Sequence, residues 1–327
     1  MSSGYDYGLP RVTHGGAFEK KSEFSSMKNT TLRRLKPTEW EAEAQLIAHS
    51  TNAWYIASGK PAIFTGDPRE CEVFCQVYEA LDPGCCIVAE QEGRLIGSCF
   101  VHPRPTHVSL GIVNTHPDAF GQGVARRMLD EAIAIAERAG KPLRLVSSVM
   151  NLDSYSLYTR AGFVPRMLFQ DMLLADTSRL PAPDPRVRPI TALDIAAMVA
   201  LEKELVGLDR ERDFTYFCQN ALSIWSGSLW EESGEVGGFL FAVVHPASNL
   251  LGPGFAKNEE IAAALLAAER RKHPSNPVFL VPAHCAALIQ TVYGWGARNC
   301  ELHVAQVRGA WQEPTGVVFP SFLPESG

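Results

Sequence analysis

The sequence predicts a mixed α/β chain built as two tandem units, and three observations carry that expectation. At 327 residues the chain exceeds one ordinary domain. Short apolar strands alternate with amphipathic helices, a pattern that predicts mixed sheets with helices packed on them. The order of elements in the first half recurs in the second, which points to an internal duplication.

The break between the units is rich in proline. Pro181, Pro183, Pro185 and Pro189 stand among small and charged residues from Asp176 to Pro189. Proline can neither continue a helix nor donate to a sheet, so 177–188 is expected to be an extended linker. It separates a first unit over 30–176 from a second over 189–327. Residues 1–29 are polar, lack the apolar core of a signal peptide, and are expected to form a mobile leader.

In the first unit Leu32 to Leu35 reads as a short strand, and Thr38 opens a helix whose Glu39, Glu41 and Glu43 suit its positive N-terminal end. A second helix runs from about Pro68 to Leu81. Cys85 to Glu90 and Arg94 to His102, separated by Gln91-Glu92-Gly93, form a hairpin. Val108 to Thr115 is another strand. From Val124 to Ala139 the residues Val124, Met128, Leu129, Ala132, Ile133 and Ile135 recur at helical spacing. A strand at Leu143 to Val149, a helix from about Asp153 to Arg160 and a strand pair around Phe163 to Leu174 complete the unit.

The second unit repeats this order. Val187-Arg188-Pro189-Ile190-Thr191 echoes Leu32-Arg33-Arg34-Leu35-Lys36-Pro37-Thr38, each a short strand with basic residues before a Thr able to cap a helix. Glu235 to Val244 matches Gly93 to Val101, Glu259 to Lys272 matches the long helix, and Val278 to Val281 matches the strand that follows it.

Composition excludes several classes. A net charge of -6, a pI near 5.9 and no Lys/Arg run leave no footprint for a nucleic-acid backbone. No apolar stretch reaches the ~20 residues that span a bilayer, so no membrane partner is expected and the expected compartment is the cytoplasm. The eight cysteines, at 71, 75, 85, 86, 99, 218, 285 and 300, have no zinc spacing and read as buried or half-buried free thiols. No metal is expected.

The segment that carries chemistry is the strand through Val113, a Pro-containing turn, and Gly121-Gln122-Gly123-Val124-Ala125 running into an amphipathic helix. Small residues let backbone approach a ligand, and the free N–H groups of a helix start face it, which makes a diphosphate site. No Gly-Lys-Ser or Gly-Lys-Thr follows, so this is not a P-loop, and Arg126 stands where a Rossmann fingerprint wants a third glycine. A glycine turn feeding a core helix is the alternative. Asn151-Leu-Asp-Ser-Tyr-Ser-Leu-Tyr-Thr-Arg-Ala-Gly-Phe163 follows the next strand.

Together these two segments resemble the GCN5-related N-acetyltransferase (GNAT) superfamily. Phe120-Gly-Gln-Gly123-Val-Ala125 is similar to its Gln/Arg-x-x-Gly-x-Gly/Ala motif, with Phe120 in place of the usual first residue, and Asn151 with Leu157-Tyr158-Thr-Arg-Ala-Gly162-Phe163 is similar to its second motif. The resemblance implies two tandem domains, each a mixed, mostly antiparallel sheet flanked by helices. It implies acetyl-CoA or another short acyl-CoA as co-substrate. Val113 and Thr115 would pair with the pantetheine arm, and Gly121, Gln122, Gly123, Val124, Ala125 and Arg126 would surround the diphosphate. Asn151 and Ser154 would line the thiol end, and Tyr158 would protonate the leaving thiolate.

An amine of a small molecule, peptide or protein would attack the thioester directly in a ternary complex, and a base or a water chain must take its proton. Glu90, Glu92, His102, His107 and His116 stand near the expected site; Glu90, which ends a strand, and His107, which begins one, are the better candidates. The second unit is similar to a worn copy, because Leu251-Gly-Pro-Gly-Phe-Ala256 lacks the glycine run at the following helix and only Val292-Tyr293-Gly-Trp-Gly296 partly matches the second motif. It is expected to shape the substrate cavity. A homodimer is compatible with the sequence. Two other classes remain: a non-catalytic acyl-CoA-binding sensor or regulatory module, and an interaction protein without cofactor.

Overall fold

A computed structural model describes residues 30–325, and the leader expected over 1–29 lies outside the described residues. The first half runs β1 (Thr30–Arg34), α1 (Trp40–Ala57), α2 (Glu72–Leu81), β2 (Cys86–Gln91), β3 (Arg94–Pro103), β4 (Val108–Thr115), α3 (Val124–Arg138), β5 (Leu143–Ser148), α4 (Leu152–Arg160) and β6 (Val164–Leu173). The second runs β7 (Val187–Pro189), α5 (Ile195–Val206), α6 (Glu211–Gln219), β8 (Trp225–Glu232), β9 (Glu235–His245), β10 (Ser248–Ala256), α7 (Glu259–Lys272), β11 (Val278–Pro282), α8 (Ala286–Gly294) and β12 (Arg298–Arg308), followed by β13 (Val317–Phe319). Up to β12 the order of elements is the same in both halves.

Local chemistry accounts for most of these elements. Between β2 and β3, Glu92 and Gly93 both take positive φ, and Ser233 and Gly234 do the same between β8 and β9. Two such residues in succession match the twist of the flanking strands and close a tight hairpin. Along α3 the stripe Val124, Met128, Leu129, Ala132 and Ala136 is buried against the sheet. Each large side chain so buried stabilises the fold by about 1.5–3 kcal/mol. Before α1, Pro37 to Glu39 forms a single 3-10 turn, so the helix proper starts at Trp40. Glu43 then faces inward and is fully buried rather than standing at the helix entrance.

All the described strands form one sheet, ordered β1-β2-β3-β4-β5-β12-β6-β11-β10-β9-β8-β7, with β13 beside β10. The strand pair expected around Phe163 to Leu174 is instead the single strand β6. No glycine or asparagine interrupts Val164 to Leu173 to turn the chain back, so the backbone runs straight and takes its neighbours from the other half. β12 pairs with β5 from His303 opposite Ser148 to Arg308 opposite Leu143, β11 pairs with β6, and β6 and β12 pair with each other. The sixth strand of each half is thus laid against the fifth strand of the other.

The sheet is antiparallel except at β4–β5 and β10–β11. Each parallel contact holds for two residues, Val108 and Ser109 with Leu143 and Arg144 in the first half, after which the strands diverge. One core spans the face under α1, α2, α5 and α6, through Phe74, Tyr78, Phe214 and Phe239; α3 covers the other face of the first half and α7 and α8 that of the second. Buried Arg104 is held by Asp82 of its own half at 2.9 and 3.0 Å and donates to Asp213 on α6 at 2.9 Å, which ties the two halves together.

Candidate active site

The divergence of β4 from β5 opens a cleft of about 590 Å³ between α1, α3 and α4. On its floor, Val113 and Thr115 lie at the end of β4, on the side that β5 has left. Thr115 Oγ1 and Asn114 Nδ2 are buried there without a partner among the described residues. Unpaired polar atoms in a cleft wall fit a ligand that carries amides.

At the cleft's end the chain makes two left-handed turns, Gly121 at φ 75° and Gly123 at φ 76°. A Cβ added at either would meet nothing within 4 Å, so both glycines serve backbone conformation and an open approach rather than packing. Gly123 caps α3 without a side chain, and no acidic residue stands in the first turn. The first N–H to bond back is that of Arg127, at 3.1 Å from the Gly123 carbonyl, which leaves the N–H groups of Val124, Ala125 and Arg126 without intrahelical acceptors. Together with the helix dipole they form an anion cradle that fits a diphosphate.

Nine of the ten residues expected at the cofactor line this cleft, as does Tyr158. The exception is Gln122, whose amide turns away to the Asp118 carbonyl at 2.8 Å. Arg126 lines the cleft while its guanidinium bonds Asp130 at 2.8 Å. Asn151 caps α4, its Oδ1 accepting from the Ser154 N–H at 3.0 Å. Phe120 also borders the cleft and is 54% exposed.

Tyr158 is buried on α4 with its ring 5.8 Å from that of Phe163. Burial first, then the neighbouring Cys99 and Glu325, push its phenol well above the ordinary value. The phenol is therefore fully protonated at neutral pH, the form an acid requires.

The two base candidates are not brought to the cleft. Glu90 bonds the Arg33 guanidinium at 2.6 Å, in an ion network with Glu39. His107 is buried at the far end of β4, six residues or about 20 Å along the strand from Val113. Burial and the cations Arg144, Arg210, Arg104 and Lys141 hold it neutral. His116 stacks on His49 at 4.9 Å beside the entrance to α3. Glu92 sits in the hairpin turn at φ 52°.

The structure adds a wall that sequence reasoning missed. Ser50, Thr51 and Trp54 of α1 face the cleft, and the Ser50 hydroxyl donates to Asn114 at 2.8 Å. Next to Trp54, Tyr55 donates to Glu301 at 3.1 Å, Lys60 lies 3.3 Å from the same carboxylate, and Ser148 bonds its other oxygen. Glu301 arrives on β12, so the second half reaches the border of this site. The spacing of α1 marks a helix, but nothing in it shows which surface the helix fronts.

The second half handles the same places differently. Registers with β9 and β3 make Ala256 the counterpart of Thr115 and Gly254 that of Val113. β13 pairs antiparallel with Gly254, Phe255 and Ala256 and occupies the edge left open on β4. At α7, Asn258 accepts from the Ile261 N–H at 2.9 Å, and Glu259 and Glu260 fill the first turn. Tyr293 is 41% exposed and donates to Gln170 at 3.0 Å. The Leu251 to Ala256 segment lies within β10 rather than forming the turn into α7.

All eight cysteines are unpaired, seven of them buried or half-buried and Cys300 exposed. Among the described residues no cluster of three or more His, Cys, Asp or Glu could hold a metal ion. No helix among them is long and apolar enough to cross a membrane.

A strand that splays from its neighbour, an open helix start and a tyrosine on the next helix are the features of an acetyltransferase-like fold. Comparison with known proteins agrees. Residues 51–163 match the acetyltransferase (GNAT) family, and residues 198–314 match a second acetyltransferase (GNAT) domain. Phosphinothricin N-acetyltransferase of Alcaligenes faecalis is 31% identical over 144 residues, 41% of this chain and 70% of that enzyme. The chain belongs to the acetyltransferase (GNAT) family and carries two such domains in tandem. A Pyrococcus horikoshii protein described as an acetyltransferase shares the fold over 94% of this chain and 98% of its own, with a TM-score of 0.72 at 14% identity. A tandem GNAT protein from the clavulanic acid biosynthesis pathway covers 87% and 99%, with a TM-score of 0.56 at 14% identity.

Proposed function

We propose that the first half is an N-acetyltransferase that moves an acetyl or other short acyl group from acyl-coenzyme A to an amine by direct attack in a ternary complex. The observation that carries this reading is the convergence, in one cleft, of the uncapped start of α3, the unpaired end of β4 and the buried phenol of Tyr158. Acyl-coenzyme A would supply an activated thioester. Backbone N–H groups of Val124, Ala125 and Arg126 would hold its diphosphate, with Gly121, Gln122 and Gly123 shaping the approach. Val113 and Thr115 would pair with the pantetheine arm, and Asn151 and Ser154 would line the thiol end.

Tyr158 would deliver a proton to the leaving sulfur, for which its protonated state is suited. The acceptor would enter from the side of α1, past Ser50, Thr51 and Trp54, and its class is an amine of a small molecule, peptide or protein. The division follows the chain: 30–176 catalytic, 177–188 a linker, and 189–327 a degenerate copy that shapes the acceptor cavity. The occupied edge of β10 and the capped, acidic start of α7 support that role.

The test is release of free thiol from acetyl-CoA across a panel of amines. Amine-dependent release is expected. Thermal stabilisation by acetyl-CoA with no release for any amine would leave a binding module instead, and neither effect would remove the coenzyme from the account.

A further inference from the structure

After β13 the chain crosses back to the first half and buries Glu325 against β4, on the face that α1 and α2 cover. The Tyr78 hydroxyl, on α2, donates to its carboxylate at 2.8 Å, and the Ile112 N–H of β4 donates to it as well. His102 Nε2, on β3, lies 3.8 Å away without a hydrogen-bond partner, while its Nδ1 is 3.0 Å from Asp82. That distance is too long for a hydrogen bond and short enough to become one when the carboxyl gains a proton to donate. Gly111 makes room for the pair: a Cβ there would lie 2.8 Å from the Glu325 carboxylate and 2.9 Å from His102 Nε2.

The far end of this row reaches solvent, because Asp82 borders a surface pocket with Arg34 and bonds the exposed Arg212. Its near end is at the site. Ile112 and Asn114 share one face of β4, and Asn114 lines the cleft, so Glu325 is anchored about 7 Å along the strand from the cleft wall. A chain of at least two waters is needed to span such a gap. The phenol of Tyr158 feels the charge of Glu325.

We propose that Glu325 is the base that takes the proton of the attacking amine, and that His102 and Asp82 conduct that proton to solvent. The inference rests on the acetyltransferase reading above. As the acceptor nitrogen bonds to the thioester carbonyl carbon, the carbon–sulfur bond breaks and the sulfur takes the proton of Tyr158. The proton shed by nitrogen passes, along that chain of waters, to Glu325. From the neutral carboxyl it moves to His102 Nε2, whose other nitrogen is oriented by Asp82, and Tyr158 recovers a proton from solvent. No net charge remains on the protein.

The groups that face the carboxyl are Tyr78 from α2 and His102 from β3, while Cys99 of β3 and Tyr158 of α4, which lie in the core on the other face of the sheet, feel its charge. Burial pushes Glu325 up to about 8, and the Tyr78 hydrogen bond pulls in the opposite direction. Burial lowers His102, against the pull of Asp82, so the imidazole is neutral and free to accept.

The test uses the full chain, acetyl-CoA and the amine that supports the fastest thiol release. Glu325→Gln should cut turnover at saturating substrates by roughly 10²- to 10⁴-fold while thermal stabilisation by CoA stays at the parent's value. Tyr78→Phe removes a hydrogen bond that favours the charged carboxylate, so the rising limb of kcat against pH should move to higher pH. His102→Gln should slow turnover most at low buffer concentration and recover as imidazole buffer is added.

A Glu325→Gln variant that matches the parent in rate and pH profile overturns the proposal; one that is faster shows that the segment obstructs the acceptor instead. If that variant does not fold, an unshifted limb in Tyr78→Phe overturns it alone. A parent chain that releases no thiol with any amine removes the acetyltransferase reading and this base together, a result distinct from an active parent with an indifferent Glu325.

Discussion

The starts of α3 and α7 occupy equivalent places in the two halves and present opposite surfaces. At α3 a left-handed glycine replaces a side-chain cap, the first turn has no acid, and the adjoining end of β4 has an unpaired edge. At α7 the cap is Asn258, the first turn holds Glu259 and Glu260, and β13 occupies the edge of β10. A helix N-terminus attracts a diphosphate only while its N–H groups are free and no carboxylate competes for the field. The same fold therefore makes an anion cradle in one half and a closed, self-satisfied terminus in the other. The segment after β13 adds a further asymmetry, since it closes the second half and then enters the first.

Cutting the chain should have the largest effect. A fragment ending near Ala175 retains the helix start, the open edge and Tyr158, but β12 no longer joins β5 to β6 and β6 loses both neighbours. Loss of cooperative unfolding and of all thiol release is expected; an active, stable fragment would show that the halves are independent in spite of their shared sheet.

The tyrosines come next. Tyr158→Phe should lower turnover by roughly 10²- to 10⁴-fold with little change in affinity, whereas Tyr293→Phe, on the exposed counterpart, should leave both unaltered. Equal rates for the two variants at saturating donor and acceptor would make Tyr158 a packing residue.

The helix starts can be exchanged in character. Gly123→Glu places a side chain at φ 76° and a carboxylate in the cradle, so acetyl-CoA affinity in titration calorimetry should fall by roughly 100-fold or more. Asn258→Ala removes a cap, and only stability should change, by about 1 kcal/mol. A change in coenzyme affinity at Asn258 would place a ligand in the second half as well.

Two buried glutamates give the finest contrast. Glu202 is paired with Arg210 at 2.5 Å, so Glu202→Gln strands a buried guanidinium and should cost about 3–5 kcal/mol. Glu43 is fully buried with neither carboxylate oxygen hydrogen-bonded among the described residues, and burial raises it from 4.5 to about 7. The folded state therefore holds the Glu43 proton more tightly than the unfolded chain does. The stability this confers is complete below 4.5 and is lost as pH rises through about 7. Against the parent, Glu43→Gln should gain roughly 3 kcal/mol between those limits in denaturant titrations at each pH.

Local patterns marked α3, α4 and the β2–β3 hairpin, because each depends on residues close in sequence, and the order of these elements marked the repeat. The glycine turn and the Leu157 to Phe163 motif marked residues that line the cleft for the same reason: φ above zero and an uncapped helix start are local properties of Gly121 to Ala125. The acceptor half was not legible. Ser50, Thr51 and Trp54 lie on a helix whose spacing marks a buried face without saying what it faces.

The base candidates show where the limit lies. Glu90 and His107 stand at strand ends in the sequence, but only the register of β2, β3 and β4 decides which strand end meets the cleft. The sequence by itself determined the element types, the tandem repeat and the glycine turn with its uncapped helix start, since these follow from spacing and backbone conformation over a few residues. Tertiary structure alone decided that β6 and β12 cross between the halves, that β13 seals the edge of β10, and that Glu325 lies beside Gly111, more than 200 residues away. Those contacts are chosen by which apolar faces can be buried together across the whole chain, and no local pattern encodes that choice.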